Sequence, residues 1–168
     1  GPVPLDPYGG FPIYPPDGSG FAVKLGSDRS FPGSNRPEAR AERITYSIAV
    51  PAGVTDYALT YEYAVVFQDP GHVSENQPRF TVKLFDPITN EYVPCGSVEY
   101  VADSTIPGFH LSQNSQSQNV WYKPWSPVFI NLARYRGRTL NLEFTTEDCT
   151  QGGHWGYAYV DVNGCEVA

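Results

Sequence analysis

The chain has 168 residues and a formal net charge of −7, with 16 prolines, 16 glycines and no methionine. That length suits one domain, and an acidic chain without a run of lysine or arginine excludes recognition of a phosphate backbone, which rests on a basic footprint. No apolar stretch is long enough to span a bilayer and no secretory leader is visible, so direct membrane insertion and nucleic-acid partners are not expected.

Residues 1–20 open with Gly1-Pro2, which resembles the scar of a cleaved tag, so the chain reads as an excised domain of a larger protein. Val3 to Gly20 then holds too many breakers for regular structure, and its aromatics should pin it to the domain that begins at residue 21. Phe21 to Leu25 is the first strand, followed by a polar loop to Pro37. Glu42 to Val50 alternates, placing Ile44, Tyr46, Ile48 and Val50 on one face. Beyond the turn at Pro51 to Asp56, Tyr57 to Phe67 carries the strongest strand pattern. Tyr57, Leu59, Tyr61, Tyr63, Val65 and Phe67 lie on one side, and the Ala64 to Phe67 run is apolar on both. A central strand covered on both faces has this pattern.

Gln68 to Pro78 reads as a loop, Phe80 to Phe85 as a strand, and Asp86 to Asn90 as a turn into Glu91 to Val93. Pro94-Cys-Gly96 should interrupt that strand as a bulge before Val98 to Val101 resumes. Asp103 to Gln118 is polar and predicted to be an exposed loop. Val120 to Lys123 and Val128 to Leu132 flank a Pro124 to Pro127 turn. Arg138 to Phe144 and Trp155 to Val162 form a hairpin with its tip at Glu147 to Gly153, where paired glycines permit a sharp reversal. In the last strand Trp155, Tyr157, Tyr159 and Asp161 share one face, and Gly156, Ala158, Val160 and Val162 the other. About nine or ten short strands at this spacing predict an all-β fold, an antiparallel β-sandwich of jelly-roll type over residues 21–168.

Three cysteines leave one unpaired. Cys149 and Cys165 bracket the last strand, whose ends lie roughly 30 Å apart at ~3.3 Å per residue. A disulfide needs Cα atoms within ~7 Å. The expected bridge therefore joins Cys95 to Cys149 or to Cys165, which an extracellular setting would favour.

The chain resembles a domain that recurs in very large surface adhesins of gliding bacteria, exported by the type IX secretion system. The matching pieces are Ala41 to Tyr46, Tyr63 to His72, Gln77 to Phe80, Val93 to Gly96, Tyr122 to Trp125 and Asp148 to Asp161, with Leu25-Gly26. The resemblance implies an extracellular, cell-surface adhesion module of jelly-roll type, similar to carbohydrate-binding and MAM-like domains, and it brings no catalytic residues. It leaves two roles open: binding a polysaccharide or other glycan surface, or acting as a spacer in a stalk that touches only neighbouring domains of its parent.

Strand directions sharpen the first role. If Tyr57 to Phe67 runs up and Phe80 to Phe85 down, and Leu140 to Thr145 runs up and Trp155 to Val162 down, the loops holding His72 and His154 share one rim. His72, Gln151, His154 and Trp155 then become candidate ligand contacts. Asp69, Glu75, Glu147 and Asp148 become oxygen donors for a possible Ca²⁺, although no dedicated calcium-loop motif is present. The plain alternatives are histidines that brace the two turns and acids that are solvated surface charge. Zinc is disfavoured, because two histidines and one cysteine fall at no short ligand spacing. A second candidate surface is Trp121, Lys123 and Trp125, whose indoles would stack on sugar rings if exposed and fill the core if buried. Catalysis is not expected: no Glu-x-Asp-x-x-Glu pattern and no nucleophile elbow occurs in the chain.

Overall fold

The computed structural model describes residues 1–28, 40–69, 71–103, 106–114, 119–149 and 154–166, the side chains of the last stretch as far as Asn163. Among the described residues ten strands follow in order: β1 (Val23–Gly26), β2 (Ala41–Ala49), β3 (Ala58–Gln68), β4 (Arg79–Asp86), β5 (Glu91–Tyr92), β6 (Val98–Val101), β7 (His110–Leu111), β8 (Val120–Asn131), β9 (Thr139–Glu147) and β10 (Gly156–Glu166). They form two antiparallel sheets, β1-β10-β3-β8-β7 and β2-β9-β4-β5, with β6 also paired to β4. The protein is an antiparallel β-sandwich, as its alternation predicts.

The first core lies between the sheets. The inward face of β3, with Leu59, Tyr61, Tyr63, Val65 and Phe67, meets Phe80, Val82 and Leu84 of β4 and Leu140, Leu142 and Phe144 of β9. Tyr61, Phe67, Phe80 and Phe144 are fully buried, each worth roughly 1.5–3 kcal/mol of transfer free energy. Tyr61 packs edge-on against Phe144 at 5.3 Å between centroids, a favoured quadrupole arrangement.

A second core covers the outer face of the first sheet. There Ala64, Val66, Val120, Trp155, Tyr157 and Tyr159 are sealed by Phe11, with Tyr8 and Ile13 beside it. The Pro/Gly-rich segment is thus part of the folded body, pinned by its aromatics. Asp6 anchors it: the Tyr157 and Tyr159 hydroxyls donate to Asp6 Oδ2 at 2.6 and 2.9 Å, and the Tyr8 and Gly9 N–H groups donate to Oδ1. Burial, and then the Asp6 carboxyl, push both tyrosines well above the ordinary phenol range.

Three expectations change. The Pro124 to Pro127 stretch does not break its strand, and β8 runs through it. Register shifts between Tyr63 and Val65, which pair with Ser126 and Lys123, so the extra residue is absorbed as a bulge. Beyond the short pairing of β7 with Tyr122 and Trp121, β8 is an edge, where a missing proline N–H costs no ladder bond. The Pro94 to Gly96 interruption separates β5 from β6 on the same edge of β4, with Phe85 opposite Tyr92 and Val82 opposite Val98. The polar stretch after Asp103 is not wholly exposed: Phe109 is buried and stacks on Phe67 at 5.6 Å, and Ser112 is buried too.

Candidate functional site

The predicted strand directions hold. β10 pairs antiparallel with β3, and β4 pairs antiparallel with β9, so the loops after β3 and β9 emerge at one rim. The His72 and His154 rings meet edge to face there, with centroids 4.9 Å apart. Cys149 joins them: it is fully buried, and its Sγ lies 3.2 Å from His72 Nδ1. The turn is closed by the Cys149 N–H donating to the His154 carbonyl at 3.1 Å. Burial, and then the neighbouring His72, lower the His154 pKa below the usual imidazole range. The buried Nδ1 of His154 has no hydrogen-bond partner among the described residues.

This trio corrects two expectations. Cys95 is an exposed free thiol and Cys149 a buried free thiol, so the bridge from Cys95 to Cys149 is not made and Cys95 is left unbridged. The side chain of Cys165 and the whole of Gln151 lie outside the described residues. Sequence spacing disfavours a histidine–cysteine cluster, but the fold brings these residues together from separate loops.

The other rim candidates do not converge. Asp69 Oδ1 accepts from the Gly71 N–H and from Gln77 Nε2, both at 2.8 Å, and so braces its own loop. Glu147 pairs with Arg79 at 3.6 Å, and Glu75 is exposed on a 3-10 turn, Ser74–Asn76. Asp148 Oδ1 accepts the Gly156 N–H at 3.4 Å, and burial pushes its carboxyl up to about 6. Among the described residues no three of these four acids bring their carboxyl oxygens together. The acids that do converge are Asp17, Glu62 and Asp161. Glu62 and Asp161 are register partners on β3 and β10, both buried, with carboxyls pushed up by burial. The Asn163 amide donates to Glu62 and the Ser19 hydroxyl to Asp161.

The tryptophans are also corrected. Trp155 is buried, stacked on Tyr157 and covered by Tyr8 at 5.1 Å, so it offers no face to a ligand. Trp125 lies on the outer face of the first sheet, packed beside Tyr159 and donating from Nε1 to the Pro12 carbonyl at 2.7 Å. Trp121 packs against the inter-sheet core, and Lys123 Nζ sits 5.9 Å from the Tyr63 ring. Trp121 and Lys123 thus lie on one side of β8 and Trp125 on the other, and they form no common surface.

An aromatic that does face solvent was not among the candidates. Tyr92 of β5 is 50 % exposed. It sits on the outer face of the second sheet, where alternation turns Arg79, Thr81 and Lys83 of β4 and Glu143, Thr145 and Glu147 of β9 outward. These residues, with Arg43 and Glu99, line a shallow groove of about 140 Å³. Tyr92 also borders a second cavity of about 500 Å³, lined by Asp86, Glu91, Arg134, Tyr135 and Arg138. The Tyr92 hydroxyl donates to Glu143 Oε2 at 3.4 Å, and Lys83 Nζ lies 5.1 Å from its ring centroid. The sequence signal was present but short: in Glu91-Tyr-Val93 only Val93 reads inward, which leaves Tyr92 outward.

No protein-family model matches this chain, and no curated protein matches it. Among solved structures it is similar to TmCBM61, determined in complex with β-1,4-galactotriose. The identity is 13 %, the alignment covers 83 % of this chain and 69 % of that one, and the TM-score is 0.39.

Proposed function

We propose that this domain is a carbohydrate-binding module that takes a glycan chain across the outer face of its second sheet, on both sides of Tyr92. The observation that carries this reading is the half-exposed Tyr92 ring between two polar depressions. Pyranose rings present apolar C–H faces ringed by hydroxyls, and an aromatic platform flanked by planar polar groups complements both parts. Arg43, Arg79 and Lys83 in the groove are matched by Glu99, Glu143 and Glu147, three positive charges against three negative. Such a balanced surface suits a neutral chain of hydroxyls better than an anion.

The same reading places the module in an extracellular adhesin, in line with the resemblance to type IX-secreted surface proteins. It is a reading of binding without catalysis, supported by the engagement of two of the groove's three carboxylates, Glu143 by Tyr92 and Glu147 by Arg79. A glycan array probed in Ca²⁺ and again in chelator tests it. Retention of a neutral glycan is expected. Retention lost in chelator would make binding calcium-assisted, and the absence of any hit in either condition would favour a stalk spacer.

A further inference from the structure

We propose that His72, Cys149 and His154 form a binding site for zinc or a zinc-like divalent ion, which ties the loop after β3 to the turn after β9. The donor set is two imidazoles and one thiol, the combination that soft and borderline first-row ions prefer over Ca²⁺ or Mg²⁺. One donor atom from each residue lies within 4.8 Å of the others. Tetrahedral zinc, with bonds of about 2.0–2.3 Å, holds its nitrogen and sulfur ligands about 3.3–3.6 Å apart. The 3.2 Å between His72 Nδ1 and Cys149 Sγ is already close to that spacing, and side-chain rotation of His154 would bring in the third donor.

Two further observations point the same way. The Cys149 thiol is fully buried and its sulfur is directed at an imidazole nitrogen rather than into an apolar core. The buried Nδ1 of His154 is unpaired among the described residues, a cost that a native structure normally removes with a partner. Among the described residues three donors converge, and both histidines are partly exposed while Cys149 is fully buried, so solvent water can reach a fourth position. Binding converts the thiol to a thiolate bonded to the metal and releases its proton to solvent, with no change of oxidation state. The site is independent of the glycan reading: none of its residues lines the Tyr92 groove or the adjoining cavity.

Titration of chelator-treated protein with Co²⁺, followed by absorption, tests the proposal. One equivalent should produce intense tetrahedral d–d bands and a near-ultraviolet thiolate-to-cobalt band, and one equivalent of Zn²⁺ should abolish both. Cys149→Ser should remove the charge-transfer band. His72→Gln, a change at a partly exposed loop position, should weaken the affinity about 100-fold while leaving the fold intact by circular dichroism. Zn²⁺ should raise the melting temperature of the wild type and of His110→Ala, but not of His72→Gln. A wild type with no cobalt bands and an unmoved melting temperature, or bands that survive both substitutions, would overturn the site.

Discussion

His72 Nδ1 lies 3.2 Å from Cys149 Sγ although 77 residues separate them in the chain. The contact depends on the register of two sheets at once. β3 and β10 pair in one sheet and β4 and β9 in the other, so the loop leaving β3 for β4 and the turn leaving β9 for β10 both cross from sheet to sheet at the same rim. Local sequence spacing is blind to such a meeting, whereas strand direction anticipates it.

The anchor of the N-terminal segment yields the first prediction. Asp6→Ala removes the acceptor of two buried tyrosine hydroxyls and two backbone N–H groups. Leaving such donors unsatisfied costs ~1–3 kcal/mol. The variant should unfold at lower denaturant concentration, with added solvent exposure of the second core detected by dye binding. An unchanged midpoint would show that the segment does not stabilise the sandwich.

A second prediction concerns the ion pair at the pole opposite the histidines, between a buried carboxylate and a partly exposed arginine. Arg138 Nη1 donates to Asp86 Oδ2 at 2.7 Å, and Asp86 is almost fully buried. Arg138→Ala removes one partner of that carboxylate, whose Oδ1 still accepts the Ile88 N–H at 3.0 Å, and should cost about 1–3 kcal/mol. Asp86→Asn with Arg138→Gln, a neutral hydrogen-bonded pair, should recover most of the loss in a urea melt. A double variant no better than Arg138→Ala would assign the loss to packing of the arginine stem.

The third prediction is a pH dependence. Burial raises the folded-state pKa of Asp148 to about 6, and raises those of Glu62 and Asp161 as well. For carboxyls with raised values the folded state holds protons more tightly than the unfolded chain. Their contribution is therefore fully present below the unfolded value, near 4, and is lost as pH rises through the folded value. Melting temperature should fall between pH 4 and pH 7. Asp148→Asn keeps an acceptor for the Gly156 N–H and should flatten part of that fall, exceeding the wild type at pH 7 and matching it near pH 4. Parallel profiles for the two proteins would remove Asp148 from the explanation.

Much of the fold was legible because alternation sorts side chains between two cores. The β3 set from Tyr57 to Phe67 and the β10 set from Trp155 to Asp161 fall on the faces their period assigns, and the pairing of those two strands follows from their directions. The tryptophans were not legible, because period assigns a face but not what covers it. Trp155 lies on an outer sheet face, which would be solvent-exposed had Tyr8 and Phe11 not closed over it. Tyr92 escaped notice for the converse reason: a two-residue strand has too short a period to declare its outward side chain. The Cys149 cluster shows no ligand spacing along the chain, because the fold assembles it across loops. Glu62 and Asp161, placed on outer faces by alternation and on adjacent strands by direction, could have been paired in advance.

Affinity electrophoresis through gels cast with neutral polysaccharides (galactan, xylan, glucomannan or mixed-linkage β-glucan) compares the wild type with Tyr92→Ala most directly. Because Tyr92 is half-exposed, the substitution should leave the melting temperature nearly unchanged. It should also weaken retardation by the bound polysaccharide about tenfold, equivalent to ~1.4 kcal/mol, while His154→Ala leaves retardation as it is. Equal retardation of the wild type and Tyr92→Ala, or loss of retardation in His154→Ala alone, would contradict a glycan platform on the second sheet and return the binding surface to the rim.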